Sequence, residues 1–139
     1  MPSKTTGGKR VIMEKRITLA KIRREADMNI NDELLWFGQS LGLFGKRDKD
    51  KSCYRIFVEL LKNKQGLTSD ELGIRLKLTR ATVIHHIKKL IKSGLVIKEQ
   101  KKYFLRVESL RELIDEVESD INNILRELKK SADRIDKVL

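Results

Sequence analysis

The chain has 139 residues, enough for one domain with appendages, and carries 31 basic against 20 acidic residues, a net charge of +11. That balance favours polyanionic partners. The first ten residues hold no apolar signal stretch, no apolar run is long enough to span a bilayer, and the single cysteine, Cys53, excludes a disulfide framework, so a reducing cytoplasm is the expected location.

Residues 1–30 read as a basic, partly disordered N-terminal arm. They begin with a Thr-Thr-Gly-Gly stretch flanked by lysines and carry eight basic residues against three acidic. The periodicity of residues 11–27 leaves strand and helix both open. Residues 4–24 serve equally well as an arm reaching DNA or as a solvated tail. Residues 31–50 read as a helix followed by a charged linker. Asn31 is the candidate cap, with Asp32 and Glu33 in the first turn. Leu34, Leu35, Phe37, Leu41 and Trp36 make this helix apolar, and Gly38 and Gly42 interrupt it. It is expected to pack into a dimer interface or onto the C-terminal helix. Gly45 to Asp50 is the linker.

Residues 51–107 carry the clearest signals. A helix over 51–65 presents Cys53, Ile56, Phe57, Leu60 and Leu61 to a core, points Arg55, Glu59 and Lys62 outward, and ends at Gln65-Gly66. Thr68 followed by Glu71 has capping-box spacing and opens a second helix. Leu72 and Leu76 share its face, and Gly73 implies close approach by the helix that follows. Leu78 fills a short turn. Thr79 then caps a third helix running to about Ser93, with Val83, Ile87, Leu90 and Ile91 as its apolar face and Ile84 beside it. The other face carries Arg80, Thr82, His85, Lys88, Lys89 and Lys92, with no acid. Gly94 is the C′ stop. Leu95–Ile97 and Tyr103–Val107 are two β-prone runs, joined by Lys98-Glu99-Gln100-Lys101-Lys102. Lysines on such a hairpin suit phosphate contact, or they discourage pairing at a sheet edge.

The succession Leu67, Thr68, Glu71, Leu72, Leu76, Leu78, Thr79, Thr82, Val83, His86, Ile87, Leu90, Gly94, Leu95 and Val96 resembles the winged helix-turn-helix repressors of the ArsR/MarR type, especially small archaeal transcriptional regulators. The resemblance covers about residues 51–107. It implies that positions such as Thr79, Arg80, Thr82 and His85 face a DNA groove. Metal-sensing ArsR members carry cysteine clusters. Here one cysteine and the neighbours His85 and His86 do not make a tetrahedral site within one chain, so no metal and no cofactor are expected.

Residues 108–139 read as a C-terminal dimerisation helix. From Leu110 the apolar positions step through Ile114, Val117, Ile121, Ile124 and Leu128, then Ser131, Ile135 and Val138, alternating four and three. The segment has no Pro or Gly, so a single helix of about 30 residues and about 45 Å follows. Leu113, Leu125 and Ala132 widen the stripe, so part of it is free to fold back on the chain's own domain.

The fold expected is mainly α with a small β wing, an α+β winged helix-turn-helix plus a long coiled-coil-type helix. The function expected is a homodimeric, sequence-specific regulator of double-stranded DNA. Arg80, Thr82 and His85 would meet base edges, and Thr79, Lys88, Lys89, Lys98, Lys101 and Lys102 would hold phosphates. Two readings stand beside it: a non-specific chromatin or RNA-binding winged helix, and an interaction module of transcription or replication machinery. No catalytic motif appears, so no enzyme activity is expected.

Overall fold

The apolar face of residues 52–62 determines where the core forms. In the computed structural model, which describes residues 14–45 and 50–139, Cys53, Ile56, Phe57 and Leu60 of helix α2 (Ser52–Lys62) are all buried. Helix α1 (Ile30–Ser40) precedes α2. After α2 the chain continues through strand β1 (Leu67–Thr68), helix α3 (Ser69–Leu76), helix α4 (Arg80–Lys92), strands β2 (Val96–Glu99) and β3 (Lys102–Leu105), and helix α5 (Leu110–Val138). Leu72 of α3 and Val83, Ile87 and Leu90 of α4 close over α2, and Leu67, Val96 and Tyr103 of the sheet complete the core. This is a winged helix-turn-helix of mixed α and β structure with a long terminal helix.

Local chemistry sets the boundaries. The Thr68 hydroxyl accepts from the Glu71 amide at 3.1 Å while the Glu71 carboxylate accepts from the Thr68 amide at 2.8 Å, so the capping box at the start of α3 is complete. α4 ends in a Schellman turn: Gly94, at φ 80°, donates to Ile91, and Leu95 donates to Leu90. α1 ends the same way, with Gly42 at φ 70° and Leu43 donating to Gly38.

The sheet is antiparallel in the order β1-β3-β2. The strand Leu67–Thr68 was not apparent in the sequence, because two residues carry no alternation; pairing Leu67 with Tyr103 supplies it. Glu99 pairs with Lys102, so only Gln100 and Lys101 form the hairpin turn, with Gln100 at φ 57°. The expected five-residue connection is thus shorter, because pairing extends past the apolar runs.

Several local expectations change. Asn29 caps α1, its side chain accepting from the Asp32 amide at 2.8 Å, rather than Asn31, which lies inside the helix. α2 stops at Lys62, and Gly66 serves the following turn, at φ 84°, where a Cβ would meet the Phe104 ring. A Cβ on Gly73 would meet the Leu78 carbonyl oxygen at 2.9 Å, so the close neighbour is the turn rather than α4. Arg55 does not point into solvent; its guanidinium donates to the Leu76 carbonyl at 2.5 Å and so caps the end of α3.

α1 does not lie along α5. It is joined to α2 through its last turn, where Gly38 sits against the Tyr54 ring and Phe44 meets Tyr54 edge-on at 5.1 Å. Residues 14–25 are neither helix nor strand, and they pack across the domain. Arg16 donates its amide to the Lys92 carbonyl, Ala20 donates to Ser40, and the Trp36 indole donates to the Ile22 carbonyl. The remainder of the basic arm, residues 1–13, and residues 46–49 of the charged linker lie outside the described residues.

The root of α5 packs on the domain through Leu113, fully buried, and Val117, 3% exposed, with Leu110 and Ile121 at the margin. Leu113 is not a seam position. The eight apolar positions of the seam therefore divide: Leu110, Val117 and Ile121 turn to the chain's own core, while Ile114, Ile124, Leu128, Ile135 and Val138 remain exposed.

Candidate nucleic-acid interface

The outward side of α4 is fixed by what its inner side buries. With Val83, Ile87 and Leu90 locked into the core, Ala81, His85, Lys88 and Lys92 step by four, three and four along the opposite side and are exposed. This side contains no carboxylate. Ala81 was not singled out from the sequence; its central position on the outward side is the signal that would have found it.

The helix is presented by its cap. Thr79 accepts from the Thr82 amide at 3.1 Å, and its hydroxyl donates to the Thr82 hydroxyl at 2.9 Å. Both hydroxyl groups at the start of α4 are thus engaged with each other, and each retains acceptor capacity. Arg80 is exposed and lies 4.0 Å from Asp70 on α3, a solvent-facing pair of little energetic weight. His85 is exposed and its ring meets the half-buried His86 edge-on at 5.2 Å, so the two imidazoles occupy different sides of α4. Lys89 is turned toward the N-terminal segment, where it borders a cleft with Arg16, Thr18 and Phe44. Lys92 is held by Glu14 at 3.4 Å. Hydrogen bonds and charge from Arg16 and Lys92 hold the Glu14 carboxyl below the usual range.

The three hairpin lysines occupy different places. Lys101 is in the turn. Lys98 lies in β2 opposite Tyr103, with its ammonium 5.6 Å from the ring centroid. Lys102 lies in the central strand, opposite Thr68 and Glu99. Its charge helps keep the Glu71 carboxyl below the usual range, although the hydrogen bond from the Thr68 amide is the larger cause. Only Lys101 is therefore a tip lysine, because strand pairing draws the other two back toward the domain.

Arg106, just past β3, faces away from the wing. Its guanidinium donates to Asp120 at 2.6 Å and reaches Glu116 at 3.2 Å, and Lys15 approaches Asp120 at 3.0 Å. The Arg106 hydrogen bond depresses the Asp120 carboxyl and raises the guanidinium further. This cluster ties the end of β3, the root of α5 and the N-terminal segment to Gly94, and it neutralises the Arg106 cation.

Residues 54–105 match a family model described as an HTH domain. The segment is a helix-turn-helix DNA-binding domain. It spans the core from α2 through β3, the elements that hold α4 outward. No curated protein and no solved structure matches the chain. No helix among the described residues is long and apolar enough to cross a membrane, and no group of three potential metal-ligating side chains occurs there.

Proposed function

We propose that the protein is a homodimeric, sequence-specific transcriptional regulator of the ArsR/MarR type, with α4 in the major groove of double-stranded DNA. The observation that carries this reading is the outward side of α4. It is free of acid, presents Arg80, Ala81, His85 and Lys88 together, and projects from a helix-turn-helix domain. Side chains at the start of such a helix reach base edges. Arg80 is suited to guanine and Ala81 to a thymine methyl group. Thr82 and His85 add hydrogen-bonding capacity beside them. Lys88, Lys89, Lys98 and Lys101 meet phosphates, which position the domain without specifying sequence. Thr79 joins them chiefly by fixing the helix start, and Lys102 contributes from further back.

Homodimerisation is supported by the exposed apolar positions of α5, with Leu128 at 59% and Val138 at 84% exposure. A soluble chain gains by covering such a stripe. Two-fold symmetry in the protein implies a pseudo-palindromic site with half-sites about 34 Å apart or a multiple of that.

Selection of bound sequences from random duplex DNA at about 150 mM salt tests the reading, because non-specific attraction is weak there. A two-fold symmetric consensus is expected. Binding without a consensus would replace it with an architectural or RNA-binding role, and no binding would turn attention to a protein partner for α5.

A further inference from the structure

The root of α5 is committed to its own domain, whereas residues 122–139 are all exposed, with Ile124 and Leu125 bordering a cleft beside Ile17 and Leu19 of the N-terminal segment. This free stretch is about 27 Å long. Its apolar positions are Ile124, Leu125, Leu128, Ala132, Ile135 and Val138, with Ile121 half-buried where the helix leaves the domain. The orientation in which a second copy covers it is decided by the residues beside the seam.

In a parallel pair, each position on one flank faces the other flank of the partner helix, offset by five residues. Asp120 would then face the partner's Leu125, Glu127 the partner's Ala132, and Arg134 the partner's Leu139. Glu127 and Arg134 then each meet an apolar side chain and neither meets its opposite, while Asp120 stays with Arg106 and Lys15 of its own chain. In an antiparallel pair the same flanks face each other. Glu127 then meets the partner's Arg134, twice by symmetry, and Leu125 meets the partner's Ala132. Two apolar layers also close in that register, Ile121 on the partner's Val138 and Ile124 on the partner's Ile135, while Leu128 meets the partner's Ser131.

Two further observations agree. Residues 108–120 carry six acidic residues against one basic, and residues 121–139 carry five basic against three acidic. An antiparallel pair lays the basic end of each helix toward the acidic root of the other, whereas a parallel pair sets like charge beside like. The overlap also stays within the free stretch, because Ile121 of one helix lies beside Val138 of the other. The buried positions Leu113 and Val117 are not needed.

We propose that α5 pairs with the α5 of a second copy in antiparallel orientation over residues 121–139, with reciprocal Glu127–Arg134 ion pairs fixing the direction. This rests on the homodimer reading and adds its geometry. The two winged domains then lie at opposite ends of the paired segment, with the two Val117 anchors about 38 Å apart along its axis. A parallel pair would hold them side by side, at the interaxial distance of about 10 Å.

Sedimentation equilibrium on the full chain, with charge-reversed variants, tests this. The wild type is expected to be dimeric at about 10 µM. Glu127→Arg alone and Arg134→Glu alone should each weaken the dimer about tenfold, since two attractive contacts become repulsive, and the double exchange should restore it. Orientation is read separately by oxidation. A mixture of Ile124→Cys and Ile135→Cys proteins should form a covalent dimer, and Ile135→Cys alone should not, whereas a parallel pair places residue 135 against its own copy. A wild-type monomer would remove the homodimer and this proposal together. A dimer indifferent to charge reversal, or one crosslinked by Ile135→Cys alone, would keep the homodimer and overturn the orientation.

Discussion

At the scale of single residues, Gly94 has the most demanding position. It holds φ 80° at the end of α4, and a Cβ there would lie 3.3 Å from the Asp120 carboxylate and 3.4 Å from the Arg106 guanidinium. Gly94→Ala should therefore cost about 1–2 kcal/mol, the penalty for an L side chain in the left-handed region, with some added crowding. Thermal unfolding of the variant measures it, and an unchanged midpoint would contradict the argument. Asp120 gives a pH signature. Its folded-state carboxyl is held below its ordinary value of 3.8 by the Arg106 hydrogen bond, so the stability it contributes is present above that value and is lost as pH falls through the lowered one. Asp120→Asn should cost about 1–3 kcal/mol near neutrality, as expected for a hydrogen bond to a charged group. The gap between variant and wild type should narrow as the pH falls below 3.8 and through the lowered value, and a gap that stays constant with pH would remove the ionised pair as its cause. Arg80→Ala should cost about 1–3 kcal/mol on the selected DNA site and relax the base preference there. Equal losses on the selected site and on random DNA would take base contact away from Arg80.

At the scale of elements, legibility followed the amount of local chemistry. The bounds of α3 and α4 were readable because Thr68 with Glu71, Thr79 and Gly94 are stop and start signals whose partners lie within a few residues. β1 was not readable, since a two-residue strand exists only through its pairing with β3. The position of residues 14–25 was equally hidden, since it depends on the Lys92 and Ser40 carbonyls far along the chain. α5 falls between these cases. Its length was legible from an unbroken periodicity, but the division of its seam was not, because Leu113 and Val117 are buried by contacts that periodicity does not encode. A truncation after Ile121 follows from that division. The shortened chain should keep the wild-type fold and lose any concentration dependence of its unfolding midpoint, because residues 122–139 contribute nothing to the domain core. A collapse of the far-ultraviolet circular dichroism beyond the loss of the helix itself would show that the free stretch supports the domain.

At the scale of the whole molecule, the net charge of +11 is distributed unevenly. The outward side of α4 and the hairpin turn are basic, while Arg106 and Lys15 are paired at the root of α5. DNA affinity should therefore fall steeply with salt. Lys88→Ala or Lys101→Ala should each reduce the slope of log affinity against log salt by about one, uniformly across sequences, whereas Arg106→Gln should leave the slope unchanged. Titrations at several salt concentrations separate the two outcomes, and an Arg106→Gln slope reduced like that of Lys101→Ala would place Arg106 on the DNA-facing surface.

The sequence alone determined the order of the three helices and the two hairpin strands in residues 51–107, the caps of α3 and α4 and the acid-free side of α4, because these depend on neighbours three or four residues apart and on periodicity. Tertiary structure alone decided which cations remain available. Arg106 is drawn to Asp120, fourteen positions on, Lys92 to Glu14, and Lys102 into the central strand beside Thr68. It also decided which seam residues are buried and which are left for a partner. Formal charge and periodicity are properties of the chain, whereas the pairing of a charge and the burial of a side chain depend on what the fold brings within a few ångströms of it.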